Sequence, residues 1–243
     1  MSKVNEIIYD VREAVRQTMD DSDISDRYIL YLYNIKRSKY LRQDLNNLQK
    51  TIDISILQTL CLELEEVSIN ECGLDLDCET IMRTKQPLPK LLELHLKPSI
   101  ITVKPTNKIS VPFNFITKER TVFSKYSPFK DSIFAFLDTD NKIYLYSQND
   151  AVKLINCLTV TAIFEDPLEL QNYTNCCGCT PAENPCFDYF NSKYPIQAHH
   201  IDPIREEIVQ NLIRTIQIPQ DKINNANQNL NLIKLYLNLM KEL

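Results

Sequence analysis

Residues 51–64 read Thr-Ile-Asp-Ile-Ser-Ile-Leu-Gln-Thr-Leu-Cys-Leu-Glu-Leu. Ile52, Ile54 and Ile56, then Leu60, Leu62 and Leu64, fall on every second position, with mostly polar residues between them. Successive side chains on a strand point to opposite faces, so this rhythm predicts half-buried strand, broken near Gln58. The stretch decides the fold class because the chain before it keeps a different period. Val4, Ile7, Ile8, Val11 and Val15 recur every three or four residues, which predicts an amphipathic helix over residues 2–19. Asp20, Asp21, Ser22 and Asp23 break it. A second helix is expected over residues 25–46, with Tyr28, Tyr31, Leu32 and Ile35 on its apolar face and Arg27, Lys36, Arg37, Lys39 and Arg42 on the rest. Residues 1–50 thus read as an antiparallel helical hairpin.

Downstream of Leu64 the two-residue period continues. Leu92, Leu94 and Leu96 repeat it, and residues 100–103 and 111–116 are further candidates edged by Pro98, Pro105 and Pro112. Residues 132–137 and 142–147 flank Asp138-Thr139-Asp140-Asn141, a four-residue hairpin loop. Leu158, Val160, Ala162 and Phe164 make a last alternating strand. Residues 51–165 are therefore a central β-rich domain of mainly antiparallel character. Residues 166–202 form an irregular, cysteine-rich connection. Helix returns over residues 203–243. Asp202 is placed to cap, with Pro203 at the first helical position. Ile204, Ile208, Leu212 and Ile216 then follow every fourth residue, until Pro219. In the last segment Ile223, Ala226, Leu230, Ile233, Leu237 and Met240 form a heptad seam. Leu232, Leu235, Leu239 and Leu243 lie off that seam and are the candidate partner-binding residues. The expected class is α+β: a helical hairpin, an antiparallel β-rich middle and C-terminal helices.

Composition narrows the function. Glycine occurs twice in 243 residues, where roughly 17 are usual. Phosphate-cradling loops need glycine to bring backbone amides onto a ligand, so nucleotide-binding loops of that kind are excluded, as is a glycine-flanked serine elbow. A net charge of -5 gives no generally basic surface for nucleic acid. No apolar run reaches the ~18–20 residues that span a bilayer, and no secretory signal is expected at the N-terminus. The eight cysteines are accordingly expected to be reduced, with Cys61 and Cys157 as small core residues.

Cys176 and Cys179 have the gap that lets two thiolates grip one tetrahedral zinc, and Cys186 with His199 could complete four ligands. The same residues fit a reduced cysteine-rich loop, and no second pair of that spacing is present. Cys72 and Cys78 flank an acidic loop of no redox spacing, and His95 is expected to face solvent. Arg27, Lys36, Arg37, Lys39 and Arg42 could contact DNA phosphates, or simply solvate a helix face. No order of serine, cysteine and histidine suggests a nucleophile with its base, and no enzyme is expected. A zinc-dependent nucleic-acid-binding regulator and an enzyme of unrecognised type are the alternatives.

Ile24-Ser25-Asp26-Arg27-Tyr28 opens the second helix, and Lys36-Arg37-Ser38-Lys39-Tyr40-Leu41-Arg42 follows on it. These lead into the strand of Leu57 to Leu64, and later come Tyr194-Pro195-Ile196 and Ile201-Asp202-Pro203-Ile204-Arg205. In this order they resemble the connector, or ring, structural proteins of crAss-like podoviruses, over about a third of the chain. The resemblance implies a virion protein, folded in the host cytoplasm, that assembles with itself into a ring, usually of twelve copies. It implies a place beneath the portal protein, beside neighbouring tail or ring proteins, where the ring joins head to tail and lines the DNA exit channel. No cofactor is expected unless the Cys176 cluster holds zinc, and no membrane partner is expected.

Overall fold

The computed structural model describes residues 3–17, 24–47, 51–69, 80–95, 99–106, 111–124, 126, 132–173 and 190–216. Helix α1 (Val4–Arg16) and helix α2 (Asp26–Leu45) form where the apolar spacing predicts them. The backbone amide of Lys3 donates to Glu6 Oε2 at 2.8 Å. The amides of Val4 and Asn5 donate to the carbonyls of Ser192 and Phe190. The free N–H groups at the start of α1 thus find partners, two of them in a segment far along the chain. Ser25 caps α2 by accepting from the Tyr28 amide.

The third long helix, α3, spans Ala198–Ile216. It begins before Pro203, so Asp202 is not its cap but an exposed residue inside it, ion-paired to Arg205 at 3.2 Å. The boundary at 203 is corrected accordingly. The chain arrives from Tyr194–Ile196, both buried, and the amide of His200 already donates to Gln197 at 3.1 Å, which starts the helical winding about a turn early. Ile204, Ile208 and Leu212 then face Val4, Ile7, Ile8, Val11, Ile29 and Tyr33 in one core. The terminal helices are therefore a single layer, which the hairpin-plus-tail division of the sequence does not convey.

Among the described residues seven strands lie in the middle: β1 (Gln58–Ser68), β2 (Thr80–Thr84), β3 (Ile100–Pro105), β4 (Asn114–Phe115), β5 (Phe134–Leu137), β6 (Ile143–Tyr146) and β7 (Cys157–Ala162). Their order is β3-β7-β1-β2-β6-β5-β4. All these pairings are antiparallel except β4 with β5. Strand β1 is long enough to serve two partners: Gln58–Glu63 pair with β7 and Leu64–Ser68 with β2. The sheet curls until its ends approach, because the Phe113 amide, just before β4, donates to the Val103 carbonyl of β3 at 2.8 Å. One face of every long strand then points inward. Leu60, Leu62, Leu64, Met82, Val103, Ala135, Leu145, Leu158, Val160 and Ala162 fill the interior. Thr84 is also fully buried, and its hydroxyl accepts from the Ile143 amide at 3.2 Å. The Asp138–Asn141 turn closes with an amide-to-carbonyl bond of 3.0 Å, and Asn141 takes φ 57°, a left-handed conformation that Asn tolerates.

Two expected strands differ. Ile54–Ile56 is a turn of 3-10 helix, started by Asp53, whose carboxylate accepts from the Ser55 amide at 2.8 Å. Residues 92–96 form no strand where described; Leu91 alone bridges to Phe164, and Leu92 and Leu94 pack with Leu41, Leu45, Ile56 and Ile163 between α2 and the sheet. His95 is exposed, as expected. Cys61 is a half-buried free thiol, 3.9 Å from the Thr159 hydroxyl. Cys157, half-buried at the start of β7, is disulfide-bonded, against the expectation that it is reduced. Residues 217–243, with the heptad seam and Leu232, Leu235, Leu239 and Leu243, lie outside the described residues, as do Cys72, Cys78, Cys176, Cys179 and Cys186.

Candidate assembly surface and the charged seam of helix α2

Helix α2 touches both layers, and its residues divide differently from the sequence expectation. The face turned inward carries Ile29, Leu30, Tyr33, Arg37, Ser38, Leu41 and Leu45. Arg37 is fully buried. Its Nε donates to the Pro195 carbonyl at 2.7 Å and its Nη1 to the Phe164 carbonyl at 2.9 Å. Its guanidinium carbon lies 5.9 Å from the centre of the Tyr194 ring. Beside it the Tyr194 hydroxyl donates to Asn34 Oδ1 at 2.6 Å, and Asn34 Nδ2 donates to Asp166 Oδ1 at 3.0 Å. One side chain thereby joins α2 to the approach to α3 and to the end of the sheet. Burial pulls the Arg37 pKa below the usual arginine value, with the Tyr194 and Asp166 charges opposing it, but a guanidinium stays protonated in proteins. A DNA-facing role for Arg37 is corrected by this burial.

The neighbouring cations are held by carboxylates of the same chain. Lys36 and Lys39 reach Glu207 Oε1 on α3 at 2.6 and 3.1 Å. Arg42 meets Glu165 Oε1 at 2.9 Å, and Lys90 meets its other oxygen at 2.7 Å. The hydrogen bond from Lys36 does most to hold the Glu207 carboxyl below the usual carboxylate range, with Lys39 assisting. For Glu165, burial alone would push the pKa up, but Lys90 and Arg42 together outweigh it and hold it down. Arg27 is exposed. Of five basic residues, four are engaged in joining helix to helix and helix to sheet, and little of the stretch is left to attract phosphate.

Besides Arg27 and Lys39, α2 turns an apolar stripe outward. Tyr28, Tyr31 and Ile35, three and four residues apart, form a stripe with 46%, 59% and 46% of their surface exposed. The rings of Tyr28 and Tyr31 stack at 6.5 Å. A hollow of about 260 Å3 lies beside them, bounded by Asn34, Ile35, Lys90 and Glu169 among others. The sequence placed these side chains on one apolar face, which is right, and inside the fold, which is not: Ile29, Tyr33 and Leu41 occupy the inner face. Exposed aromatic stripes of this kind mark contacts with other proteins. A larger cavity of about 310 Å3 lies at the β2–β6 edge, where Thr80 and then Lys153 hold the Glu66 carboxyl low. It offers no nucleophile paired with a base.

His199, the one described member of the proposed zinc set, stands beside His200 and Asp44. Its cysteine partners lie outside the described residues.

The described residues thus form a helical layer packed on a curled sheet, with four of the five α2 cations engaged within the chain and an aromatic stripe left outward. Residues 6–230 match the family described as phage tail ring protein 2, and the chain belongs to that family. It is also 26% identical to Ring protein 2 of Bacteroides phage crAss001 over 228 residues, covering 93% of this chain and 97% of that protein. The family match stops at residue 230, before all four candidate partner-binding leucines.

Proposed function

We propose that the chain is a non-enzymatic structural subunit of the phage particle that closes into a ring at the head-to-tail junction. The outward stripe of Tyr28, Tyr31 and Ile35 carries this reading, since its stacked rings have no place in the chain's own core. A ring is built from a head-to-tail interface, in which one patch of each copy meets a different patch of the next. The stripe is one such patch, and its occupant is a second copy of the chain. The ring stands next to the portal and the neighbouring tail proteins, and twelve copies line the path of the exiting DNA. The net charge of -5 and the engagement of α2's cations inside the fold favour a wall along which DNA slides without sticking. Leu232, Leu235, Leu239 and Leu243 supply a further contact, to a neighbouring subunit or to the portal.

The test is to introduce Tyr31→Asp and Ile35→Asp and to measure how much of the chain enters purified particles. Both positions are exposed, so the subunit should keep its unfolding temperature. Incorporation should fall at least about tenfold, because a buried unpaired carboxylate is costly. Normal incorporation of both variants would refute the stripe as a ring contact.

A further inference from the structure

We propose that Asp44, His199 and His200 form a site for one divalent transition-metal ion, best suited to zinc. Asp44 lies in the last turn of α2, and the two histidines lie in the first turn of α3. His200 Nε2 is 2.7 Å from Asp44 Oδ2, and His199 Nε2 is 3.8 Å from the same oxygen. The three possible donor atoms all lie within 4.8 Å of one another. A tetrahedral zinc about 2.0–2.1 Å from each donor separates the donors by roughly 3.3 Å, so the two measured spacings bracket the required one.

Two further features distinguish this cluster from an incidental hydrogen bond. Neighbouring residues on a helix point about 100° apart, yet the His199 and His200 rings lean together, with centres 4.0 Å apart, over one carboxylate. The donors are also graded in exposure. The side chains of His200 and Asp44 are 9% and 14% exposed, which holds them in place, and that of His199 is 64% exposed, which leaves an entry path and an open fourth position for water. The Tyr40 ring, 5.3 Å from His200, packs against the inner imidazole. The positive end of the α3 dipole opposes a cation here, and the negative end of α2 favours one. These partial charges largely offset, and the Asp44 carboxylate sets a negative local field. Two imidazoles with one carboxylate are a zinc-type donor set, whereas calcium and magnesium require oxygen ligands throughout. Bound there, an ion ties the end of α2 to the start of α3. The site stands independently of the ring assignment, and it competes for His199 with the set of Cys176, Cys179 and Cys186.

The experiment uses the full chain stripped by a chelator and titrated with cobalt(II) and then zinc(II), beside His199→Ala, His199→Gln and Asp44→Asn. The expected result is a cobalt spectrum of nitrogen–oxygen tetrahedral type, lacking thiolate charge transfer. Zinc should raise the unfolding temperature of the unaltered chain, and each His199 variant should weaken binding at least about tenfold. Because His199 is exposed, those two variants should match the unaltered chain in stability when metal is absent. Three results would overturn the proposal. They are no bound metal, an affinity unchanged in both His199 variants, and a spectrum dominated by cysteine thiolates.

Discussion

Arg37 is the residue on which the two layers depend. It donates to carbonyls of Pro195 and Phe164, which come from segments far apart in sequence and together at the centre of the fold. Arg37→Ala leaves both buried carbonyls without that donor, and each unmet partner costs ~1–3 kcal/mol. Urea unfolding should therefore show a loss of about 3 kcal/mol, whereas an unchanged midpoint would mean that the layers are held by apolar packing alone. Glu207 and Glu165 make a second prediction at this scale. Their folded pKa values lie below the usual value of about 4.3, so their contribution is full above that pH and is lost as pH falls through the folded values. The unfolding temperature should be flat from pH 7 to 5 and fall steeply below about 4. Glu207→Gln should flatten part of that fall, and an identical acid profile in the variant would assign the effect elsewhere. Arg37 also marks where reading the sequence failed. An arginine is placed outward on hydropathy alone, and its acceptors lie more than a hundred residues further along the chain. With Arg37 and Ser38 turned inward, the buried face of α2 rotates and Tyr28, Tyr31 and Ile35 are exposed.

At the scale of elements, periodicity was informative wherever one face of a strand or helix is buried against a matching neighbour. β1 and β7 alternate because their inner residues fill the curled sheet, β6 is buried on both faces, and α1 keeps its stripe because α3 covers it. The signal misled where alternating leucines have a different use. Leu92 and Leu94 alternate but pack as irregular chain between α2 and the sheet. β4 is two residues long and parallel to its partner, too short for a period to register. The start of α3 was misplaced because Asp202-Pro203 imitates a helix start while helical winding begins at Ala198. Pro203 therefore sits inside the helix and cannot donate to the His199 carbonyl four residues back. Pro203→Ala restores that donor and removes the ring, so the unfolding temperature should rise by a few degrees; a fall would show that the proline fixes the entry geometry of α3. As for the site, His199 was legible as a ligand candidate from residue type, but its pairing with Asp44 was not, since that depends on α2 and α3 packing side by side.

At the scale of the whole molecule, the described residues form a helical layer packed on a curled sheet, with a stripe on α2 left exposed. Removing residues 221–243 separates two roles for the last segment. A soluble, folded core that no longer joins particles would make this segment a docking element, whereas an unfolded or aggregated product would make it part of the subunit's own core. Family membership identifies the protein as a tail ring component, and the proposed neighbours and interface of the ring can be imaged. Electron microscopy of the purified particle tests them most directly. The expected result is a ring of this chain at the head-to-tail junction, with Tyr28, Tyr31 and Ile35 of each copy buried against the next and Arg37 enclosed within each subunit. A particle in which those three side chains face solvent or the channel, with copies joined through other surfaces, would contradict it.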